Sequence, residues 1–186
     1  MVAQRFVGAI GIAVFTVTLS AQTASPAEYR IKAAFLFNFM RFVQWPPTAF
    51  ADERAPLVIC VVGNDPFGAV LDQTLEGESV AARSIVARRV SDDESLDTCH
   101  LLFVSGSEKR RLGKVLQSVS RSAPVLTVSD IDGFVAGGGT IGFFLERNRV
   151  RFEIDPAQAQ RHGLKLSSQL LGLGRIRQPR SEGGAS

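Results

Sequence analysis

The chain has 186 residues, with 21 Lys or Arg, 18 Asp or Glu, 45% hydrophobic residues, two Cys and two His. That length and apolar fraction suit one compact domain with tails and exclude wholesale disorder. A formal charge of +3 with no dense basic stripe excludes a dedicated nucleic-acid binder, and the Cys and His content is too small for a zinc cluster.

The first segment reads as an address. Arg5 is the only charged side chain before Glu28, and Phe6–Leu19 runs fourteen residues without a charge. A membrane span needs about 20 apolar residues. A basic start, a short apolar run and small residues behind it therefore predict a cleaved signal peptide over residues 1–24, with an uncleaved anchor as the rival reading. Export places the mature protein in an oxidising compartment. Cys60 and Cys99, the only cysteines, are then expected to form a disulfide, the alternative being two separate buried thiols.

Ser25-Pro26-Ala27-Glu28 is a helix start, with Ser as cap, Pro in the first turn and Glu at the reciprocal capping position. Tyr29, Ala33, Leu36, Met40 and Val43 lie at helical spacing, and Ile31, Phe35, Phe39 and Phe42 widen the apolar stripe. Arg30, Lys32, Arg41 and Gln44 are left for a wet edge, and Trp45-Pro46-Pro47 ends the helix. Pro56–Gly63 is a continuous apolar run with β-branched residues, the pattern of a strand buried on both faces. Asp65 is placed to cap a short helix carrying Phe67, Val70, Leu71 and Leu75. Ser84–Val90 is a weaker strand and His100–Val104 a second buried one.

Ser105-Gly106-Ser107-Glu108 repeats the capping pattern ahead of a helix with Leu112, Val115, Leu116 and Val119 on its apolar face. Pro124–Val128 is a strand, and Ser129-Asp130 opens a loop. Gly137-Gly138-Gly139 breaks the chain before the strand Thr140–Leu145, and Asn148 sits in a tight turn leading to Val150–Ile154 as the hairpin partner. Asp155-Pro156-Ala157-Gln158 starts a helix reaching about His162, a residue expected on the surface. Apolar helical or extended chain follows over Leu164–Leu173. Alternating strands and helices with a closing hairpin predict an α/β layered sandwich: a largely parallel sheet, an antiparallel hairpin at one edge and flanking helices. The domain is expected to span 25–174, with a flexible polar tail over 175–186.

No catalytic set is assembled by the motifs. Cys99 and His100 are adjacent on a strand and so point to opposite faces, and a disulfide consumes the thiol. The triple glycine precedes a strand, whereas phosphate loops follow one. No catalytic residue, metal ligand or cofactor is expected. Two weaker sites stand beside their structural explanations. Asn64, Asp65, Ser129 and Asp130 follow strands, where open parallel sheets form a ligand crevice, yet turn and cap chemistry explains the same residues. Phe35, Phe39, Phe42 and Trp45 form a partner interface if part of the aromatic surface is exposed, and a core if it is not.

Several segments, in order, resemble the YfiR/HmsC family of periplasmic regulators: EYRIKAAFLFNFMRFVQWPP at 28–47, PLVICVVGNDPFG at 56–68, CHLLFVSGS at 99–107, VLTVSD at 125–130, GGGTIGFFLERNRVRFE at 137–153 and GLKLSSQLL at 163–171. The resemblance implies a periplasmic repressor, not an enzyme. Such proteins bind the periplasmic domain of an inner-membrane diguanylate cyclase, lowering cyclic di-GMP and biofilm or exopolysaccharide output. It also implies a homodimer, and release through an outer-membrane, peptidoglycan-associated lipoprotein or through redox stress. Cys60 and Cys99 match the family's disulfide. The second cysteine pair of some members has no counterpart in Phe134–Leu145. The alternative is a periplasmic small-molecule-binding module that feeds a sensor kinase or transporter.

Overall fold

A computed structural model describes residues 25–91 and 94–177. The expected signal peptide over 1–24 and residues 178–186 of the expected tail lie outside them. The elements in chain order are α1 (Pro26–Phe42), β1 (Val43–Gln44), β2 (Leu57–Val62), α2 (Ala69–Leu75), β3 (Ser79–Val80), β4 (Arg83–Val90), β5 (Leu101–Val104), α3 (Leu112–Ser118), β6 (Leu126–Ser129), β7 (Ile141–Glu146), β8 (Arg149–Ile154), α4 (Pro156–Arg161), β9 (Lys165–Leu166), α5 (Ser168–Leu173) and β10 (Arg175–Ile176).

Eight strands form one sheet in the order β10-β8-β7-β6-β5-β2-β4-β3, and β1 pairs with β9 in a separate antiparallel ribbon. The central strands β4, β2, β5, β6 and β7 run parallel. The β7–β8 and β3–β4 pairs are antiparallel. The α/β layered sandwich expected from the strand–helix alternation is therefore present. The apolar runs are continuous because both sheet faces are covered. Leu57, Ile59, Val61, Leu101, Phe103, Leu126 and Val128 point into one core with α1, α2 and α5. Cys60, Val62, Leu102 and Val104 point into a second core with Val115 of α3, Phe134 and Val135.

Local chemistry sets the ends. Ser25 Oγ accepts from the Glu28 N–H at 3.3 Å at the start of α1, and Asp155 Oδ1 does the same for Gln158 N–H at the start of α4. Arg147 and Asn148 both have positive φ, 50° and 60°, the two-residue turn that suits a twisted hairpin. Asp65 does not cap α2, which begins later, at Ala69; it accepts from the Phe67 N–H instead and shapes the preceding turn. The segment 106–111 winds as a tighter 3-10 helix before α3.

Three placements differ from the sequence expectation. Arg175–Ile176, expected in the tail, forms β10 parallel to Glu153–Ile154 of β8, so the sheet extends past residue 174 and covers the hairpin's outer edge. His162 is buried, with Nδ1 2.9 Å from the Ala123 carbonyl. Lys32, assigned to the wet edge of α1, is only 3% exposed.

Candidate functional site

The C-terminal ends of the parallel strands carry the four crevice residues. β2 connects outward to β4 on one side, and β5 connects to β6 on the other, so the chain reverses direction between β2 and β5. That is where open α/β sheets hold ligands. Here the gap is filled by the protein's own side chains. Ser107 Oγ accepts from the Asn64 N–H at 3.0 Å and lies 3.3 Å from Glu108 Oε1. Glu108 is buried and receives Arg111 Nη2 at 2.6 Å. Gly63, at φ +87°, permits this approach: a Cβ there would fall 2.4 Å from Ser107 Oγ and 2.8 Å from Glu108 Cγ.

Each crevice residue has an internal partner. Asp65 Oδ1 accepts from the Phe67 N–H at 2.8 Å, and its Oδ2 accepts from Arg89 Nε at 2.8 Å. Arg89 also grips Asp72 at 2.7 Å and donates to the Gly68 carbonyl. The Arg89 hydrogen bond holds the Asp72 carboxyl below its ordinary pKa, with burial opposing. Ser129 Oγ donates to the Val104 carbonyl at 2.7 Å and accepts from the Ile131 N–H at 3.0 Å. Asp130 Oδ2 accepts from Tyr29 Oη at 2.8 Å and from Lys32 Nζ at 2.6 Å.

Tyr29 joins the two halves of this edge. Its ring meets Phe67 edge-on at 5.3 Å while its hydroxyl reaches Asp130. Burial, and then the negative Asp130, pushes its pKa well above the ordinary tyrosine value. Glu28 completes the group with an i,i+4 ion pair to Lys32. The sequence reading missed Tyr29, Lys32, Ser107, Glu108 and Arg89. The Glu28–Lys32 spacing was a usable signal for an ion pair, but nothing local says that α1 lays that pair against the end of β6. What remains open is a groove of about 320 Å³ lined by Pro26, Tyr29, Pro66, Phe67 and Val70.

The aromatic face of α1 divides. Phe39 is 1% exposed and packs on Phe35, Phe143 and Phe152 at 6.0, 5.8 and 5.1 Å. It belongs to the core, which corrects its assignment to a partner surface. Phe35, Phe42 and Trp45 are half-buried and pack against the same core. Trp45 also donates Nε1–H to the His100 carbonyl at 3.2 Å.

Cys60 and Cys99 are joined in a disulfide between the centre of β2 and the approach to β5. Both are buried, and Arg88 reaches over them, donating to Thr98 Oγ1 at 2.6 Å. On the other sheet face His100 is also buried. Its Nδ1 accepts from the Val58 N–H at 3.1 Å, which puts the ring proton on Nε2, and its ring stacks on Phe50 at 4.8 Å. Nε2 has no hydrogen-bond partner among the described residues. Burial lowers the His100 pKa to about 4; the nearby Ala49 backbone opposes the shift and the Arg83 charge assists it.

Among the described residues no helix is long and apolar enough to cross a membrane, and no three His, Cys, Asp or Glu gather into a metal-holding group. A comparison with curated proteins finds no match. The sequence model of one family, described as YfiR/HmsC-like, matches residues 29–175, from Tyr29 of the strand-end cluster to the first residue of β10. That match covers the disulfide, both cores and the filled strand ends, and it is to a family of regulatory rather than catalytic proteins. This chain belongs to the YfiR/HmsC-like family.

Proposed function

We propose that this protein is a periplasmic repressor that binds the periplasmic domain of an inner-membrane diguanylate cyclase and holds the enzyme in its inactive state. Cyclic di-GMP falls as a result, and biofilm and exopolysaccharide output falls with it. The protein reaches the periplasm through a cleaved signal peptide, works as a homodimer, and is released by an outer-membrane, peptidoglycan-associated lipoprotein. The family match over residues 29–175 carries this reading. The filled crevice at the strand ends supports it, because a protein whose usual ligand gap is occupied by Ser107 and Glu108 has more use for its surface than for its interior. Repression follows if the protein binds one state of the cyclase sensor better than the other, and the shift is limited to that difference in affinity.

The test is a pull-down from membranes with the mature protein as bait, followed by a cyclase assay with and without it. Recovery of a diguanylate cyclase whose turnover drops on addition is expected. Failure to recover any cyclase, or unchanged turnover, overturns the reading. The groove beside Tyr29 favours one second reading, a small-molecule-binding module for a sensor kinase or transporter. Calorimetric titration with periplasmic extract, giving saturable heat that Tyr29→Ala removes, would favour that reading instead.

A further inference from the structure

The outer edge of β4 is open along most of its length. β3 covers it only through the pairs Val80↔Arg83 and Ser79↔Ser84. The two-residue turn between them makes Val80 and Arg83 a mutually bonded pair, so Arg83 turns its main-chain groups toward β3 and Ser84 toward β2. Strand alternation then directs the N–H and C=O groups of Ile85, Ala87 and Arg89 outward, and among the described residues no strand meets them. An uncovered edge of this kind is a template for another strand.

A groove of about 690 Å³ runs beside that edge, between α2 and β4. Its walls carry three carboxylates, Asp72, Glu76 and Glu78; Arg89 takes both oxygens of Asp72, which leaves Glu76 and Glu78 to face the groove. Ile85 shares a core with Leu71 and Leu75 of α2, so α2 lies over the face toward which Ile85, Ala87 and Arg89 point their side chains. A strand added at this edge would turn every second side chain toward the acidic wall.

We propose that this edge and groove dock an extended basic segment of a partner protein, which adds as a strand against Ile85–Arg89 and places alternate Lys or Arg side chains against Glu76 and Glu78. The main chain supplies the register, and the carboxylates select the charge.

The probe is a short synthetic peptide alternating lysine and valine, with a glutamate–valine peptide as control, titrated into the mature protein by fluorescence anisotropy. Saturable binding of the lysine peptide is expected, with slowed amide exchange at Ile85, Ala87 and Arg89, and at least about tenfold weaker binding of the glutamate peptide. Ala87→Pro removes an outward N–H without touching the ladder to β2 and should abolish binding. Glu76→Gln with Glu78→Gln should weaken it about fivefold without a change at the strand, and so serves if Ala87→Pro folds poorly. No saturable binding, equal affinity for the two peptides, or protection elsewhere than β4 overturns the proposal. Self-association that Ala87→Pro removes also overturns it, in favour of a second copy. None of these readings depends on the cyclase, so a failed cyclase pull-down and a failed peptide titration remain separate results.

Discussion

Lys32 Nζ lies 2.6 Å from Asp130 Oδ2 and ties the second turn of α1 to the end of β6 across 98 residues of sequence. Lys32 is the more deeply placed partner, since its side chain is 4% exposed and that of Asp130 is 12% exposed. The two directions of disruption should therefore differ. Asp130→Ala leaves a buried ammonium with Glu28 as its remaining carboxylate and also strips Tyr29 of its acceptor; a loss of about 2–4 kcal/mol is expected. Lys32→Met keeps the volume and leaves Asp130 bonded to Tyr29 and closer to water, at a cost of about 1–2 kcal/mol. Urea denaturation of the two variants should give this order. The reverse order would mean that Asp130, not Lys32, bears the desolvation.

His100 makes stability depend on pH. Its folded-state pKa is about 4 against an ordinary 6.5. As pH falls through 6.5 the unfolded chain takes up a proton that the folded chain refuses until about pH 4. Stability is thus complete above 6.5 and declines toward 4, by at most on the order of 3 kcal/mol. His100→Asn retains an acceptor for the Val58 N–H but does not titrate. It should cost about 1–2 kcal/mol near pH 8, through the lost stack on Phe50, and should flatten the decline between pH 6.5 and 4. Denaturation midpoints across that range check both effects, and an unchanged slope in the variant would assign the acid sensitivity to other groups.

The disulfide closes a sequence separation of 39 residues. Loop closure of that length restricts the unfolded chain by about 4 kcal/mol. Cys60→Ala with Cys99→Ala should lose about that amount, and reductant should then have no further effect on the variant while still destabilising the wild type. Both sulfurs are buried, so reduction of the wild type should be slow until the protein begins to unfold. A fast reaction with thiol reagents under native conditions would contradict the buried placement.

Features that depend on near neighbours in the chain were legible in the residues. The continuous run at β2, the Ser25 and Asp155 caps and the hairpin at Asn148 each announce themselves within a few positions. The misplaced residues depend on distant chain. Lys32 reads as solvated because its partner Asp130 is 98 residues away. His162 reads as a surface residue because the Ala123 carbonyl that receives it lies 39 residues earlier. Arg175–Ile176 looks like tail because a two-residue strand has no pattern of its own and exists only through its pairing with β8. The crevice fared similarly: its position followed from strand order, but its filling by Ser107 and Glu108 needed Gly63 beside them in space.

The β3–β4 hairpin carries a local conflict that should be correctable. Ala81 and Ala82 occupy its turn at φ 51° and 62°. Left-handed backbone costs an alanine about 1–2 kcal/mol, because Cβ crowds the following carbonyl. Nothing else in the described structure requires alanine there, since both residues are exposed. Ala81→Asn with Ala82→Gly installs the pair that favours this turn, and the gain is reduced by glycine's greater freedom in the unfolded chain. A net stabilisation of about 1 kcal/mol is expected, read as a higher urea midpoint at unchanged slope. Because the hairpin sets which β4 residues face outward, the variant should also keep Ile85, Ala87 and Arg89 in their present register, visible as unchanged amide-exchange rates at those positions. A destabilised variant would show that the Ala81–Ala82 turn is held in place by contacts other than its own backbone.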